Sequence, residues 1–226
     1  MSTPTAETAR RKRVAVFISG GGSNMLALAD ACVAPDFPAE IVAVFSDKPS
    51  AGGIEKAQAR GIKTFVFERK GFPGKAEHEA AILAALDEVQ PDILCLAGYM
   101  RLFSAEFISR YEGRILNIHP ALLPLFPGLH THERAIEAGV KIAGCTVHFV
   151  TEGMDEGPIV AQGAVPVLAD DTPETLAGRV LTVEHRLYPL ALKLLAEGRV
   201  RMESGKAVFE GPPADDAARL ISPELP

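Results

Sequence analysis

The chain has 226 residues, which suits one large α/β domain better than two small ones. Hydrophobic residues make up 47 % and charged residues 23 %, the profile of an ordinary globular protein that needs no disulfide or metal staple at this length. The net charge of −6, with no basic stretch past Arg13, argues against nucleic acid as a partner, and no apolar run approaches the roughly 18 residues of a membrane span.

The first residues, M-S-T-P-T-A-E-T-A-R-R-K-R, are polar and basic with no apolar segment. They do not read as a secretory signal, and residues 1–12 are expected to be a disordered leader. A first strand follows at Val14 to Ile18, then three glycines (20–22), then a helix from Ser23 to Cys32 with Ser23 as the capping type. A second strand is expected at Ile41 to Phe45, a helix from Ala51 to Arg60 stopped by Gly61, and a third strand at Lys63 to Phe67. Lys75 to Val89 is an amphipathic helix with Ile82, Leu83 and Leu86 on one face. Strands follow at Asp92 to Ala97 and Arg114 to Asn117.

Continuous apolar strands alternating with helices predict an α/β fold: a single-domain, Rossmann-like, mostly parallel sheet with helices on both faces. After Gly139 the texture changes. Ala143 to Thr151 and Pro158 to Val167 have no long helix between them and predict an antiparallel late strand pair. A last helix from Pro173 to Glu197, a small hairpin (Arg199 to Met202 with Ala207 to Phe209) and a Pro-rich tail over 210–226 complete the chain. Cys32, Cys95 and Cys145 each sit in an apolar run and read as buried free thiols of a reducing compartment.

Ligands of open parallel sheets bind past the carboxyl ends of the strands, and four features fall there. Gly20-Gly-Gly-Ser-Asn24 precedes a helix, where free N–H groups suit a single phosphate; a tight turn is the plain alternative. The third glycine of a dinucleotide fingerprint is missing, because Met25 stands there. Gly98-Tyr-Met-Arg-Leu-Phe103 follows the fourth strand and reads either as a slot for a flat ligand or as an apolar patch under the next helix. Asn117 and His119 lie at i and i+2 at a strand end, so their side chains share a face and could together stabilise an oxyanion. Pro120, Pro124 and Pro127 stiffen the segment behind them. Met154-Asp155-Glu-Gly-Pro158 reads as ordinary turn chemistry, and Asp155 gains weight only if it meets His119.

Together, I-S-G-G-G-S-N (18–24), A-G-Y-M-R-L-F-S (97–104), L-N-I-H-P-A-L-L-P (116–124), P-G-L-H-T-H (127–132) and H-F-V-T-E-G-M-D-E-G-P-I (148–159) resemble, in order and spacing, the folate-dependent formyltransferases. The resemblance covers about residues 13–209, the expected formyltransferase domain. It is most similar to the branch that formylates phosphoribosylglycinamide in purine biosynthesis.

The resemblance implies 10-formyltetrahydrofolate as co-substrate, glycinamide ribonucleotide as acceptor, no metal, a cytoplasmic location, and a monomer or homodimer. It implies that Gly22, Ser23 and Asn24 hold the phosphate and ribose, and that Glu184 lies near the glycinamide amine. Met100, Arg101, Leu102 and Phe103 would line the pterin slot, largely through backbone groups, with Asn117 also beside the folate. Lys75 stands where the family often has Arg near the folate tail, keeping the charge but losing the bidentate fork. Asn117, His119 and Asp155 match the catalytic trio: Asn117 and a charged His119 donate to the oxyanion, and Asp155 supports the charge on His119.

The alternatives are a formyltransferase or formylfolate hydrolase with the same Asn-x-His…Asp core, a dinucleotide-dependent oxidoreductase, and a non-catalytic nucleotide-binding module. Methionyl-tRNA formyltransferase carries an added C-terminal domain and formyltetrahydrofolate hydrolase an added N-terminal one, for which this chain leaves no room.

Overall fold

A computed structural model describes residues 10–211; residues 1–9 of the expected leader and 212–226 of the expected Pro-rich tail lie outside that range, while Lys12, expected in the leader, already belongs to the first strand. Seven strands form one sheet: β1 (Lys12–Ile18), β2 (Ala39–Ser46), β3 (Lys63–Val66), β4 (Ile93–Leu96), β5 (Ile115–His119), β6 (Ile142–Phe149) and β7 (Ile159–Pro166). Their spatial order is β3-β2-β1-β4-β5-β6-β7. Strands β1 to β5 pair in parallel, and β6 and β7 run antiparallel, as the sequence predicts. A separate hairpin, β8 (Val200–Glu203) with β9 (Lys206–Phe209), lies outside this sheet. The strand order reverses between β1 and β4, so the loops leaving their carboxyl ends diverge and open a crevice.

Alternation along β1 divides the core in two. Val14, Val16 and Ile18 face one side, where they pack with α1 (Ser23–Ala31), α2 (Gly52–Gln58), α5 (Thr131–Glu137) and the long α6 (Pro173–Ala196). Ala15 and Phe17 face the other, against α3 (Lys75–Val89) and α4 (Ala105–Arg110). The parallel register sets Phe17 opposite Phe45 and Phe45 opposite Phe65, and these rings stack at 4.9 Å between centroids. The row continues into the loop after β4: Phe17 meets Phe103 edge-on, and Phe103 stacks on Phe107 of α4 at 3.8 Å. All three cysteines are buried and free, as expected.

The structure departs from the expectations in four places. Helix α5, of seven residues, was not anticipated, and α4, of six, was expected only as an unplaced helix after the slot; each is under two full turns, too short to show a 3.6-residue period. Strand β5 runs on to His119. The cap of α1 is Gly22 in the left-handed region, not Ser23, and no side chain caps this end. Only the last helix has the full start signal: Thr172 and Thr175 bond reciprocally and Pro173 occupies the first turn.

Helix α6 is tied to the sheet centre by Tyr188, which is fully buried. Its hydroxyl donates between the carbonyls of Leu96 and Leu116, at 3.1 and 3.0 Å. Tyr188→Phe keeps the ring but strands both carbonyls from that donor, and is expected to cost about 1–2 kcal/mol in urea unfolding, with little change in m.

Candidate active site

A cavity of about 540 Å³ opens at the carboxyl end of the parallel strands. Its walls come from the loop after β4 (Met100, Arg101, Leu102, Phe103), the end of β5 (Asn117, His119) and the β6–β7 connection (Asp155). The candidate slot, strand end and turn thus meet around one space. Both readings of the slot hold in part: Met100 and Leu102 are exposed to the cavity, while Phe103 is buried under α4.

The antiparallel register of β5 on β6 builds the polar floor. Asn117 lies opposite His148, and His119 opposite Thr146, so the four side chains share a face. Asn117 Nδ2 is 3.1 Å from His148 Nε2. The other ring nitrogen of His148, Nδ1, is 2.8 Å from the carbonyl of Phe149 and must donate to it. A neutral His148 with Nε2 as acceptor therefore satisfies both contacts and orients the Asn117 amide. Burial agrees with this: it holds the His148 pKa below the ordinary 6.5, despite opposing contributions from the Phe149 carbonyl and Asp155. His148 heads one of the quoted motifs but was not singled out, because strand register is invisible in the sequence.

His119 is buried, and both its ring nitrogens face oxygen acceptors. Nε2 lies 2.9 Å from the carbonyl of Phe126, and Nδ1 lies 3.3 Å from Asp155 Oδ2. The same carboxylate oxygen accepts from Gly128 N–H at 2.8 Å. Asp155 has φ of 58°, a left-handed conformation that aspartate tolerates better than most residues. Just beyond it, a side chain at Gly157 would strike the Phe149 carbonyl at 1.7 Å, so glycine is required for the connection to fold back.

The segment between His119 and Asp155 is held by more than its prolines. Thr146 Oγ1 donates to the Ala121 carbonyl (2.7 Å) and accepts from Leu123 N–H (3.0 Å). Gln162 on β7 donates to the Leu123 carbonyl at 2.9 Å. Two adjacent strands thus clamp the loop that carries Phe126, the acceptor of His119.

Gly22, Ser23, Asn24 and Glu184 form a neighbouring patch outside the cavity lining. Asn24 Nδ2 donates to Glu184 Oε2 at 2.6 Å, and Asn24 Oδ1 is buried with no partner. Burial raises the Glu184 pKa, opposed by Asn24 and by the nearby His185 and His119, which brings this patch within electrostatic reach of the cavity. Gly22 has φ of 73° and packs backbone to backbone on Gly53, where an added Cβ would lie 2.8 Å from the Gly53 Cα. Lys75, the first residue of α3, also lies outside the lining; its Nζ is 3.8 Å from Glu79 Oε1 and its side chain is half exposed.

Among the described residues no group of three or more His, Cys, Asp and Glu is arranged to hold a metal ion, and no helix is long and apolar enough to cross a membrane.

Comparison with known proteins places this arrangement. The family described as formyl transferase matches residues 12–192. The chain is 42 % identical over 208 residues to a phosphoribosylglycinamide formyltransferase of Escherichia coli, covering 91 % of this chain and 98 % of that protein. It is 48 % identical over 198 residues to the trifunctional purine biosynthetic protein adenosine-3 of Bos taurus, covering 87 % of this chain. The match spans only 20 % of that longer relative. Among solved structures, phosphoribosylglycinamide formyltransferase from Brucella melitensis superposes with a TM-score of 0.81 at 71 % identity, over 83 % of this chain and 96 % of that one. With the family match running from the first strand into the last long helix, the chain belongs to the formyl transferase family.

Proposed function

We propose that this chain transfers the formyl group of 10-formyltetrahydrofolate to the amine of 5-phosphoribosylglycinamide, giving formylglycinamide ribonucleotide and tetrahydrofolate, as a cytoplasmic enzyme of purine biosynthesis. The observation that carries the reading is the convergence of Asn117, His119 and Asp155 on one cavity beside the slot at Met100 to Phe103. The relatives named as phosphoribosylglycinamide formyltransferases support the choice of acceptor.

The folate enters the cavity with its pterin against residues 100–103, recognised largely through backbone groups. The nucleotide phosphate sits over Gly22, Ser23 and Asn24, where the first N–H groups of α1 lack helical partners. The unpartnered Asn24 Oδ1 suits a ribose hydroxyl, and Glu184 faces the glycinamide end. Lys75 provides charge for the folate tail.

The amine attacks the formyl carbon and the carbonyl oxygen becomes an oxyanion. Asn117 uses one amide hydrogen on His148 and keeps the second for that oxygen. His119 in its doubly protonated form donates Nε2–H to Phe126 and Nδ1–H toward Asp155. The Asp155 contact is the longer of the two, so Nδ1–H is the one that can be shared with the oxyanion. Collapse expels N10 of the folate, which takes up a proton, and the attacking amine gives one up. Donors fixed before substrate arrives need no reorganisation as charge develops.

Formyl transfer assayed with both substrates tests the reading. Formate release without an amine acceptor would instead mark a hydrolase. His119→Ala is expected to lower kcat by roughly 10²–10⁴. Asp155→Asn should cost a large factor of its own but add little to His119→Ala, because the two act as one unit. Full multiplication of the two losses would give Asp155 a separate task.

On the acid side, protonating His148 turns its Nε2 from acceptor to donor and frees Asn117. Because its pKa lies below 6.5, kcat/KM should hold through pH 6.5 and fall only at lower pH. His148→Gln keeps an acceptor without a titration and should make the limb shallower; an unchanged slope would remove His148 from this role.

Gly22→Val should weaken glycinamide ribonucleotide binding at least about tenfold and folate binding far less, measured by calorimetry. Equal weakening of both would contradict the assignment of the glycine loop.

A further inference from the structure

The slot loop from Gly98 to Ser104 is recognised mainly by its backbone in the reading above, so its shape, more than its side chains, decides what binds. Two buried carboxylates grip it, one at each end. At the first end, Asp47 follows β2 and is 3 % exposed. Its Oδ1 accepts from Ser19 Oγ at 2.5 Å, and Ser19 Oγ accepts in turn from Met100 N–H at 2.9 Å. Its Oδ2 accepts from Arg101 Nε at 2.8 Å. At the other end, Glu79 on α3 is 5 % exposed. Its Oε1 accepts from Ser104 N–H at 2.9 Å, and its Oε2 from Ser104 Oγ. Ser104 is also the cap of α4, accepting from Phe107 N–H at 3.2 Å, and Lys75 Nζ lies 3.8 Å from Glu79.

Burying two carboxylates is costly unless each is fully engaged, and every donor they take belongs to this loop, to Ser19 at the end of β1, or to Lys75. Between the anchors, Met100 and Leu102 stand exposed to the cavity. Beside the carboxylates, the loop is held by the ring packing of Tyr99 and Phe103 and by one backbone bond, Ser19 N–H to the Gly98 carbonyl at 3.2 Å, none of which reaches Met100 N–H or Ser104. Directional charged hydrogen bonds hold those points.

We propose that Asp47 and Glu79 are positioning residues for the folate slot: they act through Ser19, Arg101 and Ser104 to hold the loop backbone in the shape that receives the pterin. This rests on the formyl-transfer reading. It adds that folate affinity depends on two carboxylates outside the cavity and that the nucleotide site does not.

The test measures KM for each substrate, kcat and Tm for Asp47→Ala, Asp47→Asn, Ser19→Ala and Glu79→Ala. Asp171→Ala serves as control, removing a carboxylate that is 3 % exposed and bonded to Arg179 at 2.7 and 2.8 Å but does not line the cavity. Asp47→Ala and Glu79→Ala are each expected to raise the folate KM about ten- to hundredfold, with the glycinamide ribonucleotide KM within about twofold of wild type. Asp47→Asn, which keeps the shape and one acceptor oxygen, should recover most of the loss. Amide hydrogen exchange should quicken at Met100 in Asp47→Ala and at Ser104 in Glu79→Ala. Asp171→Ala should lower Tm and leave both KM values in place. If wild type transfers formyl groups and the Asp47 and Glu79 variants behave like Asp171→Ala, the inference is wrong. If wild type transfers none, the functional reading itself fails and takes the inference with it.

Discussion

The antiparallel register between β5 and β6 is the constraint on which the site depends. It sets Asn117 against His148 and His119 against Thr146 on one face of the sheet. A slip of β6 by one residue would turn His148 and Thr146 to the opposite face, away from Asn117 and His119, because side chains alternate along a strand. The same register puts Thr146 under the loop that follows His119, so one hydroxyl ties Ala121 and Leu123 to the sheet. That loop supplies the Phe126 carbonyl for His119, and Gly128 N–H for Asp155. Pairing, loop and carboxylate form a closed chain of contacts, each link fixed by the one before.

Around this floor the protein leaves backbone open at two loops and buries charge behind one of them. Residues 98–104 are gripped from behind by the buried Asp47 and Glu79. Residues 20–24 offer N–H groups at the start of α1, braced by Gly53 N–H and Lys56, which donate to the carbonyls of Gly20 and Gly21 at 3.1 and 2.8 Å. The row of stacked rings from Phe65 to Phe107 runs beneath one of these loops and joins it to the rigid centre of the sheet.

Much of this was legible in the sequence. The strands of the parallel half are short apolar runs, and α3 buries Ile82, Ala85, Leu86 and Val89 at three- and four-residue spacing over part of its length, so both were readable from pattern. Asn117 and His119 were readable as a pair because their relation is local, two residues apart on one strand. His148 was not, because its relation to Asn117 is a matter of long-range register. Asp47, Glu79 and Ser19 were not either: a lone carboxylate or hydroxyl carries no signal until the loop it grips is known. The cap of α1 was misplaced onto Ser23 because a left-handed glycine can do the same work through backbone alone. Helix α5 escaped, and α4 was left without bounds, for want of length.

The contact between Gly22 and Gly53 has a consequence for anyone who would redesign this protein. The two backbones touch with no side chain between them, and a Cβ on Gly53 would lie 2.5 Å from Ile18 and 3.1 Å from Gly22. The glycine loop and the first turn of α2 are therefore a single object in spite of the strand that separates them in sequence. A library that varies Gly22 while leaving α2 untouched explores mostly collisions, whereas a Cβ at Gly20 or Gly21 meets nothing within 4 Å. Placing a side chain at residue 22 has to begin on the other side of the contact, by moving α2 away from the loop.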